Sequence, residues 1–258
     1  MNDKQYNELE GLRRSDLWVM NKTPLHFKYN LDNPQEQTEA LLFGSALHKY
    51  ILETSDFSKE YVIAPSVDRR TKEGKETYQK FIEASEGLTV ITQEQFNQIV
   101  EMSAVLDQDS IIYDLITGSE HEKVFTAIDE ETKEPVKVKA DMLYRDTARG
   151  TLTIIDYKTT QSCDEKAFYS SCRKFGYQFQ AGMYTEIIES NLLEKCRFIF
   201  IAQEKTPPYA ARIFVCTPEW VNAGKKQYHD LLRQYHYCKE ANDWYGYDPL
   251  ELLEEVYE

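Results

Sequence analysis

Hydrophobic positions along the chain change period twice, and the changes divide it into a helical first part, a β-rich middle and a helical end. Leu17, Trp18 and Met20 predict a short helix with Ser15 as its N-cap, and Thr23-Pro24 predicts the start of another, with Pro at its first position. From Glu36 to Glu53 the residues Ala40, Phe43, Leu47 and Ile51 recur at steps of three and four on one helical face. Helices are also expected over Thr71 to Ala84 and over Thr92 to Leu106. Alternation then replaces the helical period. Strands are predicted at Lys123 to Ile128, Pro135 to Ala140 and Thr151 to Lys158, joined by polar turns at 129–133 and 146–150 into a three-stranded meander. Cys163 to Glu189 reads as helix with a break near Gly176, Cys196 to Ala202 as a buried strand, Arg212 to Cys216 as another strand, and Thr217-Pro218 to about Cys238 as a long helix. Helices followed by β-β-β-α-β-β-α predict an α/β fold with a central mixed β-sheet flanked by helices and an N-terminal helical extension. Three segments are expected within one compact unit: a mainly helical part over 1–115, a core with its C-terminal helix over 116–239, and an acidic tail over 240–258.

Composition narrows the function classes. The 258 residues are 41% hydrophobic and 13% aromatic, too apolar for a disordered chain. The net charge of −14 excludes a protein that grips nucleic acid or an anionic membrane by bulk positive charge. Seven acids and no Lys or Arg fall in residues 240–258, a pattern of a solvated tail more than of a docking or channel-guarding segment. Positive charge is local: between residues 66 and 80, Arg69, Arg70, Lys72, Lys75 and Lys80 against three acids leave +2 at a predicted helix start, where the dipole favours phosphate. Five cysteines without a C-x-x-C pair argue against a disulfide scaffold and against zinc or iron-sulfur ligation. An apolar leader and any run of about 18 apolar residues are both lacking, so a cytoplasmic, soluble protein without membrane partners is expected.

The chemistry concentrates in Lys139-Ala140-Asp141, then 14 residues, then Asp156-Tyr157-Lys158-Thr159-Thr160. Each acid is placed at the end of a predicted strand. Residues i and i+2 of a strand share a face, so Asp156 and Lys158 project together while Tyr157 points away. A hairpin can bring Asp141 beside Asp156, and two neighbouring carboxylates are tolerated readily when a hard dication lies between them. A lysine beside such an ion can orient or help deprotonate a water, or hold a phosphate. Gln180 and Tyr184, four apart, share one helical face, as do Gly44 and His48; a small residue one turn before an imidazole suits a site that needs close backbone access, with His48 as ligand or phosphate donor.

Taken in order, His48, Asp141, Asp156-Tyr157-Lys158 and Gln180-x-x-x-Tyr184 resemble the PD-(D/E)xK nucleases, in the branch with RecB-type nuclease motifs, and within it the RecE-type phage and prophage exonucleases. The resemblance covers roughly Ser15 to Cys216. Phe43-Gly44-Ser45-Ala46-Leu47-His48, Asp68-Arg69-Arg70-Thr71 with Gly74-Lys75-Glu76, and Ile155 to Thr160 carry it most closely. It implies a PD-(D/E)xK nuclease fold and a 5′ to 3′ exodeoxyribonuclease of the two-metal type on linear double-stranded DNA, leaving 3′ single-stranded overhangs for recombination by strand annealing. It further implies Mg²⁺ as cofactor, with Mn²⁺ as substitute, held by Asp141, Asp156, the Tyr157 carbonyl and His48. Lys158 would serve the attacking water, and Gln180 and Tyr184 would position the strand. Arg69, Arg70 and Lys75 would contact DNA. A homo-oligomeric ring, an annealing partner of the RecT type, and a phage or prophage origin in a bacterial host cell complete the implied picture. Ala140 stands where the family name expects proline. Glu120 and Glu122 both fit a further acidic ligand. Two other readings compete: a RecB-type nuclease module acting on single strands, without a P-loop of its own, and a DNA-end-binding protein that keeps the fold without catalysis.

Overall fold

The computed structural model describes residues 3–33 and 38–249. Its first part is helical: α1 (Asp3–Glu8), α2 (Arg14–Met20), α3 (Pro24–Asp32), α4 (Glu39–Leu52) and α5 (Thr54–Glu60). A small crossover follows, β1 (Tyr61–Ile63), α6 (Lys72–Ala84) and β2 (Thr89–Ile91), with β1 and β2 paired in parallel; then come α7 (Gln93–Gln108) and α8 (Ser110–Thr117). Caps explain most of the starts. The Thr23, Thr38, Thr71 and Thr92 hydroxyls each accept an N–H three residues on, which satisfies one orphan donor of the first turn. The cap of α2 differs from expectation: the Asp16 carboxylate accepts from both the backbone N–H and the side-chain Nε of Arg13, and Ser15 lies inside the helix. Glu36 and Gln37, placed in a helix by periodicity, lie outside the described residues.

The main sheet has five strands, β3 (Ser119–Ile128), β4 (Pro135–Asp146), β5 (Thr151–Thr160), β6 (Cys196–Glu204) and β7 (Ala211–Val215), in that spatial order. All neighbours are antiparallel except β5 and β6, which are parallel and joined through α9 (Glu165–Phe175) and α10 (Tyr177–Leu192). Gly176 breaks the two helices in the left-handed conformation (φ 67°), with Trp18 packed where a side chain would stand. α11 (Pro218–Ala241) closes the fold. A five-stranded mixed sheet covered by helices matches the sequence reading, but β4 and β5 are longer than predicted, so Asp141 and Asp156 sit inside their strands.

Each face of the sheet has its own core. On one side Val138, Ala140, Ile154, Phe198 and Phe200 pack with Leu17, Phe27, Phe179, Tyr228 and Leu232 from α2, α3, α10 and α11. On the other, Met142, Ile155, Tyr157 and Ile201 pack with Leu47, Ile51, Ile99, Leu106 and Ile112 from α4, α7 and α8. α10 and α11 meet at Gly182 and Gly224. A Cβ on Gly224 would fall 2.0 Å from the Gln178 carbonyl oxygen, and one on Gly182 would fall 2.1 Å from the Gly224 carbonyl carbon. The first described residues of the acidic segment dock instead of trailing into solvent. Trp244 stacks on Phe27 at 5.5 Å, and the Tyr245 carbonyl accepts the Leu25 N–H. The remainder of that segment, from residue 250, lies outside the described residues. Tyr228 is core and Tyr235 packs on Phe27, whereas Tyr237 is exposed. Among the described residues no helix is long and apolar enough to cross a membrane.

Candidate active site at the divergence of two strands

β4 and β5 are laddered only from Asp146 and Thr151 to Met142 and Ile155. Beyond that pair the strands part, β5 continuing along β6 while Leu12 takes the vacated edge of β4 through bonds to the Pro135 carbonyl and the Lys137 N–H. Asp141 and Asp156 are the first residues past the last pair. The Asp141 Oδ2 accepts the Tyr157 N–H at 2.9 Å, replacing the lost ladder partner. In an extended strand a residue's N–H and C=O project to the same side, so the Tyr157 carbonyl also faces the gap.

β3 is interrupted at the same level. The β3–β4 ladder pairs His121 with Met142 and Lys123 with Ala140, and skips the residues between them, Glu122 and Asp141. Glu122 is left-handed (φ 54°), a conformation costly for a residue with a side chain and often kept at functional sites. Of the two acids the sequence left open, Glu122 lines the cleft with Asp141, while Glu120 is exposed and paired with Lys123 at 2.6 Å.

The resulting cleft, of about 540 Å³, is lined by Gly44, Ser45 and His48 of α4, by Glu122, Lys139, Asp141, Tyr157 and Lys158 of the sheet, and by Phe175, Tyr177 and Lys205 at its rim. Gly44 faces open space, since nothing lies within 4 Å of where its Cβ would be. His48 Nδ1 is 3.6 Å from Asp141 Oδ2, and its ring meets the Tyr157 ring edge-on at 5.1 Å. Asp156, only 2% exposed, makes an ion pair through Oδ1 with the Lys158 ammonium and accepts a bond from Gln180 Nε2 on Oδ2. Gln180 is buried, so it grips the acid and does not reach the open cleft; Tyr184 is half-buried against the first core. The Lys158 ammonium also lies 5.1 Å from the Tyr177 ring centre.

Electrostatics follow from burial. Asp156 is pushed up to about 6, chiefly by desolvation, with Lys158 opposing and Asp141 adding to the rise. Burial also raises Asp141 and Glu122, the latter further through Asp141. His48 is pushed down to about 4 by burial and by Lys158, which leaves a neutral imidazole at pH 7. Burial and the nearby carboxylates hold the Tyr184 phenol protonated. Three acids thus face two lysines, Lys158 on Asp156 and Lys139 on Glu122, in a half-closed site short of positive charge. Carboxylate oxygens, a backbone carbonyl and a neutral imidazole make a donor set that suits a hard divalent cation. Among the described residues no three such side chains already surround one point. Lys158 and Gln180 hold the oxygens of Asp156, and the Tyr157 N–H holds one of Asp141.

Other predicted residues lie elsewhere. Arg69 and Arg70 line a separate depression between residues 64–70 and 90–94, with the Arg69 guanidinium 4.6 Å from the Tyr78 ring centre, and Lys75 is exposed on α6. Arg14, which the sequence reading missed, donates to the Phe175 carbonyl from α2 and has a buried Nε without a hydrogen-bond partner. Its nearest charged and polar neighbours include Tyr184 and Asp156.

Comparison with known proteins agrees with this architecture. Residues 14–248 match the family described as "PDDEXK-like domain of unknown function (DUF3799)". The structure is similar to the crystal structure of a protein described as a "Putative exonuclease" from Eubacterium rectale, with TM-score 0.66 and 17% identity, covering 100% of this chain and 96% of that one. At that identity the likeness is one of fold. The crystal structure of SSO0001 aligns over 75% of this chain and 86% of that one at 14% identity and TM-score 0.34, too distant to carry an argument. No curated protein matches the sequence.

Proposed function

Because the chain belongs to the PDDEXK-like family that matches residues 14–248, we propose that it is a metal-dependent nuclease, and specifically a 5′ to 3′ exodeoxyribonuclease on linear double-stranded DNA. The observation that carries this reading is the placement of Asp141, Asp156 and Lys158 together where β4 and β5 part, in an open cleft with a surplus of buried carboxylate. Asp141, Asp156, the Tyr157 carbonyl and His48 would hold Mg²⁺ or Mn²⁺, and Glu122 joins them as the further acid. The bound dication would polarise the scissile phosphate and acidify a water, which is the chemistry such nucleases draw from divalent metals.

The chain's own residues do the remaining work. Lys158 keeps its ammonium beside Asp156 and presents a hydrogen-bond donor that would hold the reacting phosphate or orient its attacking water. Gln180 fixes the Asp156 rotamer by its bond to Oδ2. Neutral His48 lends a ring nitrogen to the Asp141 side of the site. Gly44 leaves the wall of α4 open to an approaching backbone. Arg69, Arg70 and Lys75 extend the reading to a phosphate contact away from the cleft. A ring of several copies and an annealing protein of the RecT type belong to the same proposal, as does action inside a bacterial host cell.

The test is digestion of linear duplex DNA carrying different labels at its 5′ and 3′ ends, with Mg²⁺ or EDTA, by the natural protein and by Lys158→Ala. Metal-dependent early release of the 5′ label that the variant loses is the expected result. Cutting of single strands alone would replace the duplex reading, and end binding without cutting in any metal would end the catalytic one.

A further inference from the structure

Four lysines line the cleft, and three of them are neutralised. Lys49 is bound by Glu53 at 2.8 Å and Glu60 at 2.7 Å, Lys139 by Glu122, and Lys158 by Asp156. Lys205 lines the same cleft and, among the described residues, forms no ion pair with any carboxylate. A polyanion entering a cleft whose other cations are already matched gains most from the one that is not, because no existing pair has to be broken.

Lys205 is also held in place. It opens the loop between β6 and β7, and its backbone is tied on both sides: its N–H donates to the Thr160 carbonyl at 3.0 Å, and its carbonyl accepts Gln98 Nε2 at 2.8 Å. The far side of the loop is fixed to α7, where the buried Gln203 amide donates to the Met102 carbonyl at 2.9 Å and the Tyr209 carbonyl at 3.1 Å, and the Tyr209 hydroxyl donates to Glu101 at 3.2 Å. All these anchors are backbone groups or other side chains, so the Lys205 ammonium is a free charge on a fixed base. The bond to Thr160 links it to β5, the strand that carries Asp156 and Lys158.

We propose that Lys205 is a positioning residue of this cleft that binds a backbone phosphate of the nucleic acid beyond the scissile one. The inference rests on the nuclease reading, and it assigns Lys205 to binding and not to chemistry. One phosphate contact contributes about 0.7 (single strand) to 0.9 (duplex) to the slope of log affinity against log salt. Its loss weakens binding about tenfold at 50 mM salt, and the difference closes as salt approaches 1 M.

The experiment measures fluorescence-anisotropy binding of a short labelled duplex in EDTA from 50 to 400 mM NaCl, for the natural protein, Lys205→Gln and Lys205→Arg, beside Mg²⁺-dependent turnover. The expected result is a salt slope lower by about 0.7–0.9 and a raised KM with kcat within twofold for Lys205→Gln, both restored by Lys205→Arg, with Tm unchanged. An unchanged slope, a kcat that falls at constant KM, or an arginine variant no better than glutamine would overturn it. Binding is read without cleavage, so a natural protein that binds but never cuts removes the nuclease reading and leaves Lys205 to be judged on its slope. A natural protein that does not bind DNA removes both.

Discussion

Gln203 is fully buried on β6, and its one side-chain amide makes three hydrogen bonds. Oε1 accepts the Tyr157 hydroxyl at 2.5 Å, and Nε2 donates to the Met102 and Tyr209 carbonyls at 2.9 and 3.1 Å. Burial pushes the Tyr157 phenol far above its ordinary value, so it stays a donor. Gln203→Leu keeps the volume and strands a hydroxyl and two carbonyls in the core. Each buried orphan costs about 1–3 kcal/mol, so the variant is expected to lose about 3–9 kcal/mol, a large part of the roughly 5–15 kcal/mol that holds a domain together. Tyr157→Phe strands only Oε1 and is expected to cost about 1–2 kcal/mol. In the double variant the hydroxyl and its acceptor leave together, so its cost falls short of the sum by about 1 kcal/mol. Urea unfolding in EDTA measures all three. A loss below about 1 kcal/mol for Gln203→Leu, or strict additivity, would refute the account of this network as a satisfied buried unit. The consequence for function is direct, since Tyr157 stands between Asp156 and Lys158 and its ring supports His48.

Three more outcomes follow from the geometry. The folded-state value of Asp156, about 6, lies above that of an unfolded aspartate, so this group's contribution to the stability of the metal-free fold is fully present below about pH 4 and is lost as pH rises from about 4 to about 6. Protons and divalent cations compete for this carboxylate, and thermal melts with Mg²⁺ against EDTA should show a larger rise in Tm at pH 8 than at pH 5; equal rises would contradict the assignment of Asp156 as a ligand. Gly44→Ala, in mid-helix with open space at its Cβ, is expected to stabilise by about 0.5–1 kcal/mol, whereas Gly44→Phe fills the cleft and should abolish DNA processing at unchanged Tm. Gly224→Ala, whose Cβ would fall 2.0 Å from the Gln178 carbonyl oxygen, forces α10 and α11 apart and should cost about 3 kcal/mol or more by urea unfolding.

Periodicity made the order of elements legible, together with the hairpin that joins β4 to β5 and the break at Gly176, because these depend on local alternation and on turn residues. The i, i+4 spacing of Gln180 and Tyr184 drew attention to α10, and there Gln180 reaches Asp156 while Tyr184 packs against the first core. Features fixed by contacts distant in sequence were not legible. β1 and β2 are three-residue strands separated by a helix, too short for alternation to register. Gly182 and Gly224 look like ordinary helix glycines until two helices cross there. Glu120 and Glu122 are equivalent as a sequence, and only the skipped pair opposite Asp141 turns one outward and the other inward. Arg14 carries no motif, and its nearness to Asp156 depends on α2 packing across the end of α9.

The parting of β4 and β5 explains why these acids tolerate one another. Had the ladder continued in the same register, Asp141 would have faced Asp156 and the backbone groups of Ala140 and Tyr157 would have paired, closing the sheet over this point. Because it stops at Met142 and Ile155, one carboxylate oxygen substitutes for the missing backbone acceptor while the rest of the group stays within reach of the cleft. Glu122 pays for its inward turn with a left-handed backbone on β3. Burial lifts all three acids above their ordinary values, and the lysines beside them, Lys158 and Lys139, offset only part of that rise. A divalent cation bound here as proposed would stabilise the fold and load the site by the same interaction, so the difference in melting with and without Mg²⁺ tests the proposed site directly.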